Sequence, residues 1–299
     1  MFALCFLFST SCILSVEASP ARVSYETSLL NEEQMTWNEL FSAHLGCMRS
    51  PAAERVLTQF REPVLPTISD ARVKEIPIVE CGEELIDVRK SGNGRIRMMD
   101  DPESPFQSSD CNSGLPSASF MRSRVYDCLE KMVGALDRLA SDFGYEAGQV
   151  EIRIFEGLRD LKTQKMLFDR KFEEVRAAQA HLSLEEARKE TCKWVAPVEN
   201  NVPVHSTGAA VDLRLWDRKT KSYLDLGIFG VIWGANPNAV TFSEGISKIQ
   251  KANRLYCLLA AAEAGLVNYS YEFWHYSYGD RYAAWAKNFP QADYHSISI

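Results

Sequence analysis

Several familiar signatures are missing from this 299-residue chain. None of its eight cysteines forms a Cys-x-x-Cys pair, so nothing points to a cysteine-held zinc site. Basic charge is not in excess: 33 Lys and Arg against 40 Asp and Glu leave a net charge of −7, which argues against nucleic acid or an anionic membrane as partner. There is no internal repeat, no long low-complexity tract and no block of like charge, which excludes solenoids and charged tails. The one apolar run, residues 1–16, is shorter than the ~20 residues a spanning helix needs. Histidine is scarce, with five in all.

What is present fits a soluble globular protein, with 46% hydrophobic and 24% charged residues. Residues 1–16 carry no charged side chain and lead into Val16-Glu17-Ala18-Ser19, a small-residue cleavage pattern. Residues 1–19 thus read as a secretory signal or hydrophobic segment, although no Lys or Arg precedes the run. The expectation is a periplasmic or secreted protein without stable membrane insertion once the signal is cleaved, and a cytoplasmic location is the alternative. An even set of six further cysteines permits disulfides, and Cys128 and Cys257 fall on apolar helical stripes that suit a core.

Residues 20–74 read as an N-terminal helical extension, with helical patterns over 32–45 and 52–60 and a break at Pro63 and Pro66. Short strand-like runs follow at Ile76-Pro-Ile-Val79 and Leu85-Ile-Asp-Val88, then a Gly/Ser/Asp/Pro-rich loop over 91–116. Apolar residues at three- and four-residue spacing from Val125 to Phe143 predict a helix. Val150, Ile152 and Ile154 alternate with Glu151 and Arg153, which predicts a half-buried strand. A helix is expected over 161–180, and Ser183-Leu-Glu-Glu186 is a capping-box start for another. Residues 209–216 alternate as a strand with Asp212 turned from the apolar side. The last helix is expected over 243–264 with Gly265 to stop it, and a final strand over 266–272 that delivers Glu272 and His275. The mixture predicts an α+β fold, a central mostly antiparallel sheet flanked by helices.

Two motifs carry chemistry. His205-Ser-Thr-Gly-Ala-Ala-Val-Asp212 joins an imidazole to a carboxylate through Gly208 and two alanines, a link small enough to turn tightly. Glu272-Phe-Trp-His275 adds a second imidazole and a second carboxylate. Two histidines and one carboxylate can fill three corners of a zinc tetrahedron and leave the fourth for water. Glu272 then stands where it could take a proton from that water. The plain alternatives are a surface histidine with an aspartate in a turn, and a Glu and His at a sheet edge. Arg159, in Glu156-Gly-Leu-Arg159, could stabilise an oxyanion or simply pair with Asp160 or Glu156. His44, His181 and His295 stand in the extension, on a charged helix end and in the C-terminal tail, and suit no site.

In chain order, Glu156-Gly-x-Arg159, His205-x-x-Gly-x-Ala-x-Asp212, Glu272-x-Trp-His275 and Gly279-Asp280 resemble the zinc D-alanyl-D-alanine dipeptidases. These form the VanX-type branch of the metallopeptidases that share a fold with D,D-carboxypeptidases and hedgehog domains. The resemblance spans about residues 75–290, within a catalytic domain expected over 75–299, and includes Gln250-x-x-Asn253-Arg254 and Ala264-Gly265. It implies that His205, Asp212 and His275 bind one Zn2+ ion, that Glu272 is the general base, and that Arg159 stabilises the transition state. The implied substrate is a small D-amino-acid peptide, D-alanyl-D-alanine in peptidoglycan precursor metabolism. The alternatives are D,D-carboxypeptidase or endopeptidase action on cell-wall stem peptides, and a zinc-bearing binding module without catalysis. Two positions depart from the pattern. Pro203 stands where many members have serine, and Leu226-Gly-Ile-Phe-Gly-Val231 lacks the Asp that helps hold a substrate ammonium.

Overall fold

The computed structural model describes residues 35–62, 65–99, 117–228 and 236–297. The segment 1–19 with Cys5 and Cys12, the loop residues 100–116 with Cys111, and Gly230-Val231 lie outside the described residues. In chain order the strands are β1 (Leu85–Asp87), β2 (Ile96–Met98), β3 (Phe120–Arg122), β4 (Val150–Glu156), β5 (Ala210–Asp217), β6 (Ser222–Tyr223), β7 (Val267–Asn268) and β8 (His275–Ser277). The helices are α1 (Trp37–Ala43), α2 (Pro51–Arg61), α3 (Ala71–Lys74), α4 (Ser123–Leu139), α5 (Leu161–Ala178), α6 (Leu184–Thr191), α7 (Lys248–Glu263) and α8 (Arg281–Ala286).

The main sheet runs β2-β4-β5-β8-β7, with β6 added to β5. Among the described strands of this sheet, β2 and β4 pair in parallel and the other neighbours are antiparallel. The expected α+β fold with a mostly antiparallel sheet is the one observed. Ile152, Ile154, Val211, Leu213 and Leu215 present one apolar face, against which α4 and α7 lay Leu129, Met132, Leu136, Leu255 and Leu259. Burial of this face is the main force holding the layers together. Cys128 and Cys257 are buried in that core as expected, and the five described cysteines are free thiols.

The described part of the N-terminal segment shares the same core. Trp37, Leu40, Ala53 and Val56 belong to the cluster under the sheet, and Trp37 Nε1 donates to the Ser243 carbonyl at 3.1 Å. α1 begins with the Thr36/Glu39 capping box, and α2 with the Ser50 cap and Pro51.

Three expectations are corrected. β4 is not half-buried: every residue in it is buried. Its polar face is accommodated because Arg153 pairs with Glu151 at 2.5 Å and lies over the Trp216 ring at 5.0 Å. Ile76-Pro-Ile-Val79 makes no strand, only an isolated bridge from Ile78 to Ala292. Residues 266–272 are not one strand either. Pairing stops at Asn268, whose Nδ2 donates to the carbonyls of Glu272, Phe273 and His275 at 3.3, 3.4 and 3.0 Å. That side chain satisfies the backbone of a turn, so the chain folds back into the β7–β8 hairpin.

α7 begins five residues after the expected 243, at a Ser247/Gln250 capping box, and Gly265 at φ +89° ends it. Its polar side chains tie down both flanks of residues 229–235. Gln250 reaches the Asp225 carboxylate, and Arg254 donates to the carbonyls of Leu226, Asn238, Val240 and Thr241 at 2.7–3.1 Å. No helix among the described residues is long and apolar enough to cross a membrane.

Candidate metal centre and active site

Asp212 and His275 face each other across the β5–β8 register, so the sheet itself brings them together. His275 Nδ1 lies 2.9 Å from Asp212 Oδ1. His205 enters from a 3-10 turn, Val204–Thr207, that begins after Pro203 and ends at Gly208 with φ +72°. Glycine suits that left-handed position, and a side chain there would also crowd Leu85 Cδ2 at 3.1 Å. The turn aims His205 Nε2 at the same point, 3.4 Å from Asp212 Oδ1 and 3.1 Å from His275 Nδ1.

His205 is oriented by its other nitrogen, which meets the Gly157 carbonyl at 2.8 Å. Gly157 must be glycine, because a Cβ would stand 2.4 Å from the Phe120 carbonyl oxygen. An Nδ1–H donated to that carbonyl leaves the Nε2 lone pair toward Asp212, the support a metal-binding histidine commonly has.

All three side chains are buried. Burial alone would raise the Asp212 carboxyl, but the two imidazoles hold it well below its ordinary range. Burial pulls the His205 imidazole down and Asp212 more than offsets this, whereas burial prevails at His275 and lowers it. Three acceptors therefore converge where a proton could serve only one pair at a time. A divalent cation could serve all three. Ligand atoms around a tetrahedral zinc stand roughly 3.3 Å apart, and separations of 2.9, 3.1 and 3.4 Å fit that spacing.

Glu272 sits in the hairpin turn with Oε2 3.8 Å from His275 Nδ1. Burial, reinforced by the Asp212 charge, raises its carboxyl well above the ordinary range, with Arg159 acting the other way. Arg159 lies just beyond the end of β4. Its Nε and Nη2 hold the Glu156 carboxylate, and its Nη1 donates to Gln164 Oε1 at 2.8 Å. Of the two partners the sequence allowed, Glu156 is the one used, while Asp160 caps α5 through the Thr163 amide. Arg159, His205, Glu272 and His275 share a cavity of about 30 Å3 with Ile68 and Trp194. That is room for about two waters.

Sequence reasoning missed the supporting residues. Gly157 supplies a carbonyl, Gln164 fixes Arg159 and is itself held by the Ala196 carbonyl, and Asn268 shapes the turn under Glu272. Only Gly157 left a signal, as the glycine of the Glu156-Gly-x-Arg159 motif. The other three histidines stand apart. His44 stacks on Phe143, His181 is exposed, and the His295 amide donates to Glu80.

The geometry agrees with comparison to known proteins. The model of the peptidase M15 family, described as D-ala-D-ala dipeptidase, matches residues 121–294. The chain belongs to this family. The M15 chain is a metallopeptidase, and its α+β sheet is the fold the resemblance implied. It is 24% identical over 243 residues to a D-alanyl-D-alanine dipeptidase of Synechocystis sp. (strain ATCC 27184 / PCC 6803 / Kazusa), covering 75% of this chain and 93% of that protein. A solved structure of the LdcB LD-carboxypeptidase is 18% identical, with 71% of this chain and 74% of that one covered at a TM-score of 0.33.

Proposed function

We propose that this M15 peptidase hydrolyses D-alanyl-D-alanine, with one Zn2+ held by His205 Nε2, Asp212 Oδ1 and His275 Nδ1. When bound, zinc would polarise the scissile carbonyl and lower the pKa of water at the site. The chain's own residues account for the rest. Glu272 accepts the proton of the attacking water and passes it to the leaving amine. A buried, desolvated carboxylate beside the ligands is suited to that exchange, because its affinity for a proton is raised. Arg159, fixed by Glu156 and Gln164, keeps a positive charge at the cavity wall where the oxyanion develops.

The observation that carries this reading is the position of Glu272. It lies at the ligand cluster yet is not one of the three converging donors. A module that only bound zinc would have no use for it. Support also comes from the Synechocystis relative, whose name is that of a D-alanyl-D-alanine dipeptidase.

A second reading has its own observation. A free substrate ammonium needs an acceptor, and Leu226-Gly-Ile-Phe-Gly-Val231 offers no carboxylate. A stem peptide blocked on its N-terminal side needs none, which is the D,D-carboxypeptidase or endopeptidase alternative. Incubating zinc-loaded protein with D-alanyl-D-alanine and with an intact pentapeptide stem decides between them. Cleavage of the dipeptide is expected, and cleavage of the pentapeptide alone would overturn that choice. Export through residues 1–19 is proposed with it, and sequencing the N-terminus of the mature protein tests that.

A further inference from the structure

The hairpin loop that carries Glu272 is held from outside the region that matches the family. Three supports meet it. Within the hairpin, Asn268 Nδ2 donates to the carbonyls of Glu272, Phe273 and His275. From residues 239–241, the Ala239 carbonyl accepts from the Phe273 amide at 3.0 Å, and Thr241 Oγ1 donates to Asn268 Oδ1 at 2.7 Å. The third support comes from the N-terminal segment. Gln59, on α2, donates through Nε2 to Ser270 Oγ at 2.6 Å, to Asn268 Oδ1 at 3.1 Å and to the Asn268 carbonyl at 3.2 Å. The Tyr271 hydroxyl donates to the Leu65 carbonyl at 3.0 Å, on the residue just before Glu272.

The same segment reaches the ligand side. Ile68 packs against the cluster of Val73, Tyr269 and Tyr282, the Tyr269 ring meets His275 edge-on at 5.7 Å, and Ile68 lines the cavity beside Glu272. The amide of Asn268 is oriented by what its Oδ1 accepts, and Gln59 provides one of those two donors. Removing it would leave the group that shapes the loop less firmly fixed.

We propose that Gln59, Leu65 and Ile68 of the N-terminal segment brace the active site, with Gln59 as a positioning residue for Glu272. The segment lies outside the matched residues 121–294, so family membership assigns it no part in the reaction. Gln59 touches no reacting atom. It acts through Asn268 and Ser270 on the backbone of residues 269–274. A base displaced by a fraction of an ångström still folds and still leaves the metal ligands in place, but it catalyses poorly.

The proposal rests on Glu272 being the base, and its test separates the two. Gln59→Met keeps the side-chain length and removes the amide; Tyr271→Phe removes the second tie from the hairpin side. In the full-length zinc-loaded protein, each is expected to lower kcat about tenfold with KM and zinc content unchanged. Each should also speed amide hydrogen exchange across residues 268–275 while the strands β4 and β5 stay protected. Glu54→Ala, on the exposed side of the same helix, should change neither. Unchanged kcat with unchanged exchange at the hairpin would overturn the brace. So would a loss of turnover matched by an equal loss of folded, zinc-loaded protein. If the unsubstituted protein cleaves no D-alanyl peptide, the functional reading fails, and the exchange measurement still decides the brace.

Discussion

Asp212 and His275 stand opposite each other on hydrogen-bonded strands, whereas Glu272, only three residues before His275, stands in a turn with no strand partner. The Asp212–His275 pair inherits its geometry from the sheet register, in which Asp212 is paired with Glu156 on one side and with His275 on the other. The turn has no ladder and relies on side chains: Asn268 within the hairpin, and Thr241 and Gln59 from farther along the chain. We therefore propose that metal binding and catalysis rest on separate supports. Each should be breakable without the other.

Substitutions should separate the two supports to different degrees. His275→Ala should have the largest effect, removing zinc and hydrolysis together, measured as metal content and turnover on the same sample. Glu272→Ala comes next, with turnover falling about 10²–10⁴-fold and zinc retained. Arg159→Ala should lower turnover per bound zinc by about 10²–10³-fold. It should also destabilise the fold by about 3–5 kcal/mol, because the buried Glu156 would lose the arginine that pairs with it; denaturant unfolding measures this. Gly208→Ala has the smallest expected effect, about 1–2 kcal/mol of stability from the left-handed backbone, with zinc content close to normal. An equal loss of zinc and turnover in Arg159→Ala would make that arginine structural and erase the contrast.

Much of the His205–Asp212–His275 cluster could be read from the sequence. His205 and His275 are two of only five histidines, each at a short spacing from a carboxylate, and alternation over 209–216 turns Asp212 off the apolar face. Helix α4 was equally plain, because its apolar stripe repeats over four turns. The support for Glu272 was not legible. Residues 266–272 are apolar and aromatic enough to read as a strand, and nothing local says that Asn268 will satisfy three carbonyls and end it. Burial of both faces of β4 depended on an ion pair and a ring that alternation alone cannot show. The ties from Gln59 and Leu65 cross more than two hundred residues, beyond the reach of any periodicity.

We propose that Glu272 moves the proton at a metal centre it does not help to build. The direct test is turnover per bound zinc in Glu272→Ala against D-alanyl-D-alanine, with zinc measured in the same preparation. Full zinc occupancy with turnover down at least about 10²-fold is the predicted result. Turnover equal to that of the unsubstituted protein would contradict it.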